Sequence, residues 1–350
     1  MPDRSLAGIL AGALALSFVT VHYAERILLP LVEWARVGLY GDQIYTSALQ
    51  GCTSLDRSQT WVHPTALTLT VYGDTQRILR QAFGSHGTEV LPDYAGRFAG
   101  VGELLCVADY LLAATRTEEI DGRQVRRIVF DIPEDTYGIA KGWVSGLAQG
   151  LAGQVLLAAH LETGDEKYLR AARELRNLFF VPVSSGGVRV EISPQSVWYE
   201  EYAKPGTSPP LVLNGHLLSL DFLYWMSRAD PDAETNALFE LGVHAAVSMI
   251  DRYSGPAWSY YDQRHNLATG KYHAFHVRQL RRYEMHDDSG TLKAARQRMQ
   301  WQQVVPLGVF QRLFTQPSRL LVFLSGACFL FYMLLYFAVR HLSRGRVRAS

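Results

Sequence analysis

The 350-residue sequence has three cysteines, Cys52, Cys106 and Cys328, and no C-x-x-C pair. A multi-bridge disulfide framework is therefore excluded. Cys52 and Cys106 are free to pair, and an unpaired core thiol is an equally good reading of Cys106, which lies in an apolar stretch. Charge of either sign is not in excess. The formal net charge is +1, which argues against nucleic acid as a partner, because phosphate binding calls for a clear basic surplus. No G-x-G-x-x-G, P-loop or H-E-x-x-H motif is present. His273 and His276 stand three apart with no third ligand nearby in sequence, so neither a metal nor a cofactor is expected. Apolar residues make up 48% of the chain, enough to build a core and to argue against disorder.

Two long apolar runs frame the chain. Residues 320 to 339 carry no charge and have the length of a bilayer crossing. They are followed by Arg340, His341, Arg344, Arg346 and Arg348, a basic flank that reads as cytoplasmic. Residues 6 to 24 are also apolar, and a small-x-small cleavage site is poorly placed after them, so an uncleaved signal anchor is a better reading than a removed signal peptide. The expected segments are an anchor over 1–36, a short irregular or β segment over 37–62, a main domain over 63–305 and a linker over 306–319. A transmembrane helix over 320–339 and a basic cytoplasmic tail over 340–350 complete the chain. Both termini are expected inside and the main domain outside, as in a bacterial inner-membrane protein with a periplasmic domain.

Within 63–305 the helical period recurs in pairs. His63-Pro64 opens a helix running to about Phe83, and a second runs from Ala95 to Ala114. Asp121-Gly122 signals a tight hairpin ahead of an alternating stretch over 124–132. Gly142 to Leu161 and Glu166 to Phe180 form a pair broken at Gly164. Leu213 to Ser227 and Ala233 to Tyr253 form the next, and Tyr272 to Tyr283 with Thr291 to Val304 the last. The predicted fold is mainly α: an incomplete α/α toroid of about four helix pairs with short β-hairpins, flanked by two transmembrane helices. Periodicity alone does not separate it from a plain bundle.

Four polar motifs interrupt the apolar helices: Gly142–Gly150 (GWVSGLAQG), Trp198–Tyr202 (WYEEY) followed by Val212–Gly215 (VLNG with Leu211), Tyr261–His265 (YDQRH), and Tyr272–Leu280 (YHAFHVRQL). Loops on a rigid scaffold are where sites tend to lie. In order and spacing these motifs resemble the C-terminal helical domain of the D-glucuronyl C5-epimerases, the enzymes of heparan sulfate and heparin biosynthesis. The resemblance covers roughly residues 63 to 305 and implies an α/α-barrel. It implies catalytic roles for Glu201, Tyr202, Tyr261 and Tyr272, and substrate contacts for Asn214 and Arg264. The chain lacks room for the large β-rich region that precedes this domain in the animal enzymes, and its second span is unlike a single-anchor Golgi enzyme.

The implied chemistry explains the residue types. Epimerisation at C5 removes a proton α to a carboxylate and returns one on the opposite face, so two proton-transfer groups must flank the carbon. Glu201 and Tyr272 are assigned to that pair, with Tyr202 and Tyr261 supporting the intermediate. A cation or strong donor must offset the carboxylate's growing charge, and Arg264, His265 and Asn214 are candidates, Arg being able to grip it bidentately. Trp198, Gln149 and His276 complete the expected substrate-binding set. No redox cofactor is required, because proton exchange involves no net oxidation. The expected partner is a uronic-acid-containing polysaccharide, with the domain membrane-bound and a homodimer allowed. Rival readings are a polysaccharide lyase, a glycosidase using Glu201 and Asp262, and a non-catalytic sugar-binding component of an export complex.

Overall fold

The computed structural model describes residues 7–24, 52–54, 62–87, 91, 96 and 98–349. Most of the expected 37–62 segment lies outside them. The described chain is mainly helical, with three short antiparallel strand pairs and an apolar helix near each end.

The first helix, α1 (Ala7–Ala24), is the N-terminal apolar run. The region expected to be one helix after His63 is two, α2 (Pro64–Thr70) and α3 (Tyr72–Phe83), separated at Val71. Pro64 occupies the first turn of α2, where its missing N–H costs nothing, and His63 caps it by accepting from the Ala66 N–H at 3.3 Å. Next comes α4 (Val101–Ala114). Its Cys106 is disulfide-bonded to Cys52, which settles the open choice in favour of a bridge.

The expected hairpin follows as β1 (Arg116–Ile120) and β2 (Arg123–Arg127), paired in register from Arg116 opposite Arg127 to Ile120 opposite Arg123. Asp121 and Gly122 both take positive φ, 50° and 74°, as a tight two-residue turn matched to the strand twist requires. Strands β3 (Val129–Phe130) and β4 (Trp143–Val144) then pair. Trp143 and Val144 were expected to start a helix. They are extended instead, because their backbone pairs with β3 and with Ala203.

Helix α5 (Gly146–Thr163) starts after them, with Ser145 accepting from the Ala148 N–H and Gly164 closing the end in the left-handed region. Every residue from Gly146 to Ala159 is buried. It therefore runs through the middle of the domain and not along a face. Helix α6 (Glu166–Asn177) packs behind it. The pair β5 (Arg189–Ser193) and β6 (Ser196–Tyr199) leads into α7 (Leu213–Ala229) and α8 (Ala233–Met249), the latter capped by Asp232. The last pair is α9 (Gly270–Tyr283) and α10 (Thr291–Val304). Helices α3, α5, α7 and α9 touch in succession as an inner row, and α4, α6, α8 and α10 each back onto the preceding member. This is an arc of helix pairs.

The inner helices approach closely where side chains vanish. A Cβ at Gly146 would meet Ser219 Oγ at 2.8 Å, one at Gly150 the Leu218 carbonyl oxygen at 3.3 Å, and one at Gly153 the Phe222 ring at 2.3 Å. These glycines set α5 against α7. Across α7 and α9, Arg282 and Asp221 are both buried and paired at 2.7 Å, and the pairing holds the Arg282 guanidinium well above its ordinary pKa despite burial. Breaking such a pair would leave a buried charge uncompensated, at a cost of about 3–5 kcal/mol.

The expected linker contains a further helix, α11 (Leu307–Thr315), before α12 (Arg319–Ala349), whose stretch Leu321–His341 is long and apolar enough to cross a membrane.

Candidate active site

The site forms where the segment after β6 meets the first turn of α7, the 255–269 loop and the start of α9. Strand β6 ends at Tyr199, and the alternation of an extended chain sends Glu200 and Glu201 in opposite directions. Glu200 turns into the wall. It accepts from the Tyr202 N–H at 3.0 Å and from the Leu211 N–H at 2.7 Å, and burial pushes its pKa up to about 7. Glu201 turns to the N-terminus of α7, where Asn214 Nδ2 donates to its Oε2 at 3.4 Å. A Cβ at position 215 would sit 2.4 Å from that same oxygen, so the carboxyl fits here because residue 215 is glycine. Burial, with the Glu200 carboxyl second, raises the Glu201 pKa to about 8.

Three tyrosines crowd this carboxyl. The Tyr202 phenol interacts electrostatically with Glu201 and with Tyr261. The Tyr261 and Tyr272 rings lie 4.8 Å apart, and Tyr272 also acts electrostatically on Tyr202. Burial and the negative charge of Glu201 push the phenols of Tyr202 and Tyr261 well above 10, so at neutral pH both are protonated donors and not phenolate bases. The expected catalytic four, Glu201, Tyr202, Tyr261 and Tyr272, are thus one cluster drawn from three segments. The clamp between them is backbone: the Leu213 N–H of α7 donates to the Tyr261 carbonyl at 3.1 Å.

The expected substrate-binding set divides. Asn214 is in the cluster. Arg264 lies at its exposed rim, with its guanidinium carbon 5.1 Å from the centre of the Tyr137 ring and one nitrogen donating to the Ser208 carbonyl at 3.0 Å. His265, with φ of 62°, is exposed and lies against Tyr260. Trp198, Gln149 and His276, also expected to contact substrate, have no exposed surface in this structure. Trp198 stacks between His216 and Tyr253, at 4.0 and 5.5 Å. The Gln149 amide bridges the Ile128 N–H and the Arg126 carbonyl, stitching α5 to the strand region. His276 lies 3.1 Å from Ser259 Oγ, which His273 Nδ1 approaches at 2.8 Å, so this histidine pair is spent on holding the 255–269 loop. All three build the wall behind the site.

Tyr137 was not picked out by the sequence and belongs here. Its hydroxyl donates to Asp262 Oδ2 at 2.6 Å, and its ring packs 5.2 Å from that of Tyr202. It lies in a turn-rich loop over 131–142, where Glu134 and Ile139 form an isolated bridge. Glu134 adds negative charge felt by Glu201 and Tyr202. Nothing but the local turn residues marks this loop in the sequence. Asp262 accepts from the N–H groups of Arg264 and Asn266, from Asn266 Nδ2 and from Tyr137, which saturates both its oxygens.

Chemically, the cluster offers the Glu201 carboxyl, whose pKa burial brings to about 8, several phenolic donors and an arginine at the rim, with Glu200 raised to about 7 in the wall behind. That combination suits abstraction and return of a proton beside an anionic group.

Comparison with known proteins agrees with the motifs. Residues 123–302, just over half the chain, match the family described as the D-glucuronyl C5-epimerase C-terminus. Among curated proteins, the chain is 37% identical over 165 residues to a D-glucuronyl C5-epimerase of Caenorhabditis elegans, covering 42% of this chain and 26% of the nematode protein. It is 30% identical over 198 residues to an uncharacterised protein of Methanocaldococcus jannaschii, covering 54% of this chain and 62% of the archaeal one. The chain thus spans less than two thirds of the length of either relative. On the family match, which takes in Glu201, Tyr202, Tyr261 and Tyr272 together, the chain belongs to the D-glucuronyl C5-epimerase C-terminus family.

Proposed function

We propose that the protein is a membrane-anchored uronosyl C5-epimerase that converts D-glucuronosyl to L-iduronosyl residues within a polysaccharide. The observation that carries this reading is the gathering of Glu201 with Tyr202, Tyr261 and Tyr272, the carboxyl having a pKa of about 8. A general base works best with a pKa near the operating pH. Glu201 in its ionised form takes the C5 proton. Tyr272, across the site, returns a proton to the opposite face. Tyr202 and Tyr261, held protonated, donate to the negative charge that grows on the substrate carboxylate, and Arg264 at the rim grips that carboxylate. Family membership supports an epimerase. The choice of glucuronate, and of a heparosan-like polymer, rests on the relatives.

The glycosidase alternative that pairs Glu201 with Asp262 is disfavoured, because both Asp262 oxygens are engaged in holding the loop. For location, two apolar helices and the basic residues after Val339 support a two-span anchor with both ends cytoplasmic. The Cys52–Cys106 bridge supports an oxidising compartment for the domain between them.

Incubation with a glucuronic-acid polymer in deuterated water tests the reaction. Deuterium should enter C5 with L-iduronosyl signals in the proton NMR spectrum. Ultraviolet absorbance from an unsaturated product would instead identify a lyase and overturn the reading.

A further inference from the structure

Helix α11 is amphipathic the wrong way round for water. Its buried side consists of Gly308, Val309 and Arg312. Its open side carries Leu307, Phe310 and Phe314, which are 57%, 48% and 66% exposed at a spacing of three and four residues, the repeat that keeps side chains on one helix face. Trp301 and Val304, in the last turn of α10, extend the apolar surface with exposures of 69% and 58%. The single charge of the helix, Arg312, is folded away under Trp258, 5.7 Å from its ring. A helix whose polar groups face the protein and whose phenylalanines face outward is built for a non-aqueous neighbour.

The surroundings say which neighbour. Val309 packs in one cluster with Val21 of α1 and Leu321 of α12, joined by Phe18, Leu313 and Leu324. Phe18 meets Phe310 edge to face at 5.6 Å. Tyr23 donates to the Val304 carbonyl at 3.0 Å, and His22 Nε2 lies 2.6 Å from the Gln303 carbonyl oxygen. The exposed stripe is therefore continuous with the two apolar helices read above as membrane spans.

We propose that α11, with Trp301, is a membrane-surface element whose apolar face enters the boundary between lipid headgroups and acyl chains. This rests on the membrane reading of α1 and α12. The Trp301 indole suits that boundary with its apolar body and polar edge, and Leu307, Phe310 and Phe314 supply the apolar face that enters it. The opposite side of the same helix already holds the active-site loop. Gln311 Oε1 accepts from the Ala257 N–H at 3.1 Å, Gln316 Oε1 from the Leu267 N–H at 2.7 Å, and Gln316 Nε2 donates to the His265 carbonyl at 2.9 Å. A Cβ at Gly308 would strike the Trp258 ring at 2.1 Å, so α11 lies flat on that indole. The loop bearing Tyr261 and Arg264 is thus fixed against the element that meets the lipid.

The test uses the full chain in phosphatidylcholine vesicles containing brominated acyl chains, which quench indoles by contact. The Trp301 signal is the difference between wild type and Trp301→Phe. It should be quenched at least twofold on bromination, and the surface substitutions Phe310→Ser with Phe314→Ser should remove most of that quenching while the protein still floats with vesicles. A Trp301 signal indifferent to bromination in floating protein overturns the proposal. So does disulfide cross-linking of a Phe310→Cys variant between two copies, which would show that a second chain covers this face. Failure to float would overturn both the membrane reading and this proposal, whereas deuterium exchange by detergent-dispersed protein reports on the epimerase reading independently.

Discussion

The Tyr137 hydroxyl donates a 2.6 Å hydrogen bond to Asp262, joining the loop after β3 to the loop that carries Tyr261 and Arg264. The same Tyr137 ring lies under the Arg264 guanidinium and beside Tyr202. One residue outside the four motifs therefore touches two of them.

Tyr137→Phe should keep this packing and lose only the hydroxyl. A hydrogen bond to a buried carboxylate is worth about 1.5–3 kcal/mol. Thermal denaturation should show a stability loss of that order, and turnover should fall roughly tenfold as the 131–142 loop loses its tie to the loop bearing Tyr261 and Arg264. Unchanged turnover would place the 131–142 loop outside the working site.

Glu201 makes a pH prediction. Its folded pKa, about 8, lies above the ordinary 4.5. The native state therefore holds this proton more tightly than the unfolded chain, so the stability it contributes is full below the ordinary value and is lost as pH rises through about 8. Glu201→Gln, which has no proton to lose, should show a smaller decline of stability between pH 5 and 9 than wild type. For activity the sign is opposite: the ionised form is the base, so kcat/KM should rise with pH along a limb centred near 8. A flat profile over that range would remove Glu201 from the proton transfer.

Glu201→Gln and Tyr272→Phe should each fold and bind polymer but form no iduronate-type product. If the two groups stand on opposite faces of C5, Tyr272→Phe retains solvent exchange of D-glucuronosyl units without inversion, since Glu201 removes and returns the proton on its own side, whereas Glu201→Gln exchanges only L-iduronosyl units. Normal inversion by both variants would sink the assignment.

Arg264→Lys preserves charge but loses the planar fork. Because Arg264 is exposed at the rim, stability should change little, while KM for the polymer should rise and kcat/KM fall by about tenfold. Near wild-type kinetics would show that the carboxylate is held elsewhere.

The bridge between Cys52 and Cys106 should be visible by thiol titration. Denatured, unreduced protein should show one thiol, Cys328, and reduction should release two more. Cys106→Ser should lower stability by about 2–4 kcal/mol. A reporter near Thr207 should then read external, and one after Ser350 cytoplasmic. Three free thiols in protein taken from its own membrane would contradict the external placement.

Much of this molecule is legible from local pattern. Helix α10 runs from Thr291 to Val304 as its period indicates, and Asp121-Gly122 makes the turn its residue types require. What escaped depends on partners distant in sequence. Trp143 and Val144 are extended only because β3 and Ala203 supply their hydrogen bonds. Trp198 reads as a sugar platform but is enclosed by His216 and Tyr253, which arrive from α7 and from beyond α8. Tyr137 has no periodic context at all, and its role exists only once Asp262 is placed beside it. Helix α11 reads as a linker in the sequence, because nine residues between two prolines give too short a window for a period to stand out.

The glycines that set α5 against α7 also limit how the domain can move. Substituents at Gly146 and Gly153 would collide with Ser219 and Phe222, and the two helices mesh at these points like a keyed joint. Sliding or rolling one past the other would drive backbone into side chain at each tooth, so shear between the inner helices is blocked. The 255–269 loop is itself held by Ser259 against His273 and His276 and by Gln316, so any adjustment around the site is left to the 131–142 loop and to side chains at the rim. On the proposed function, a substrate would be accommodated at the rim, over a floor in which Glu201 is seated against Asn214 and Gly215 at the start of α7.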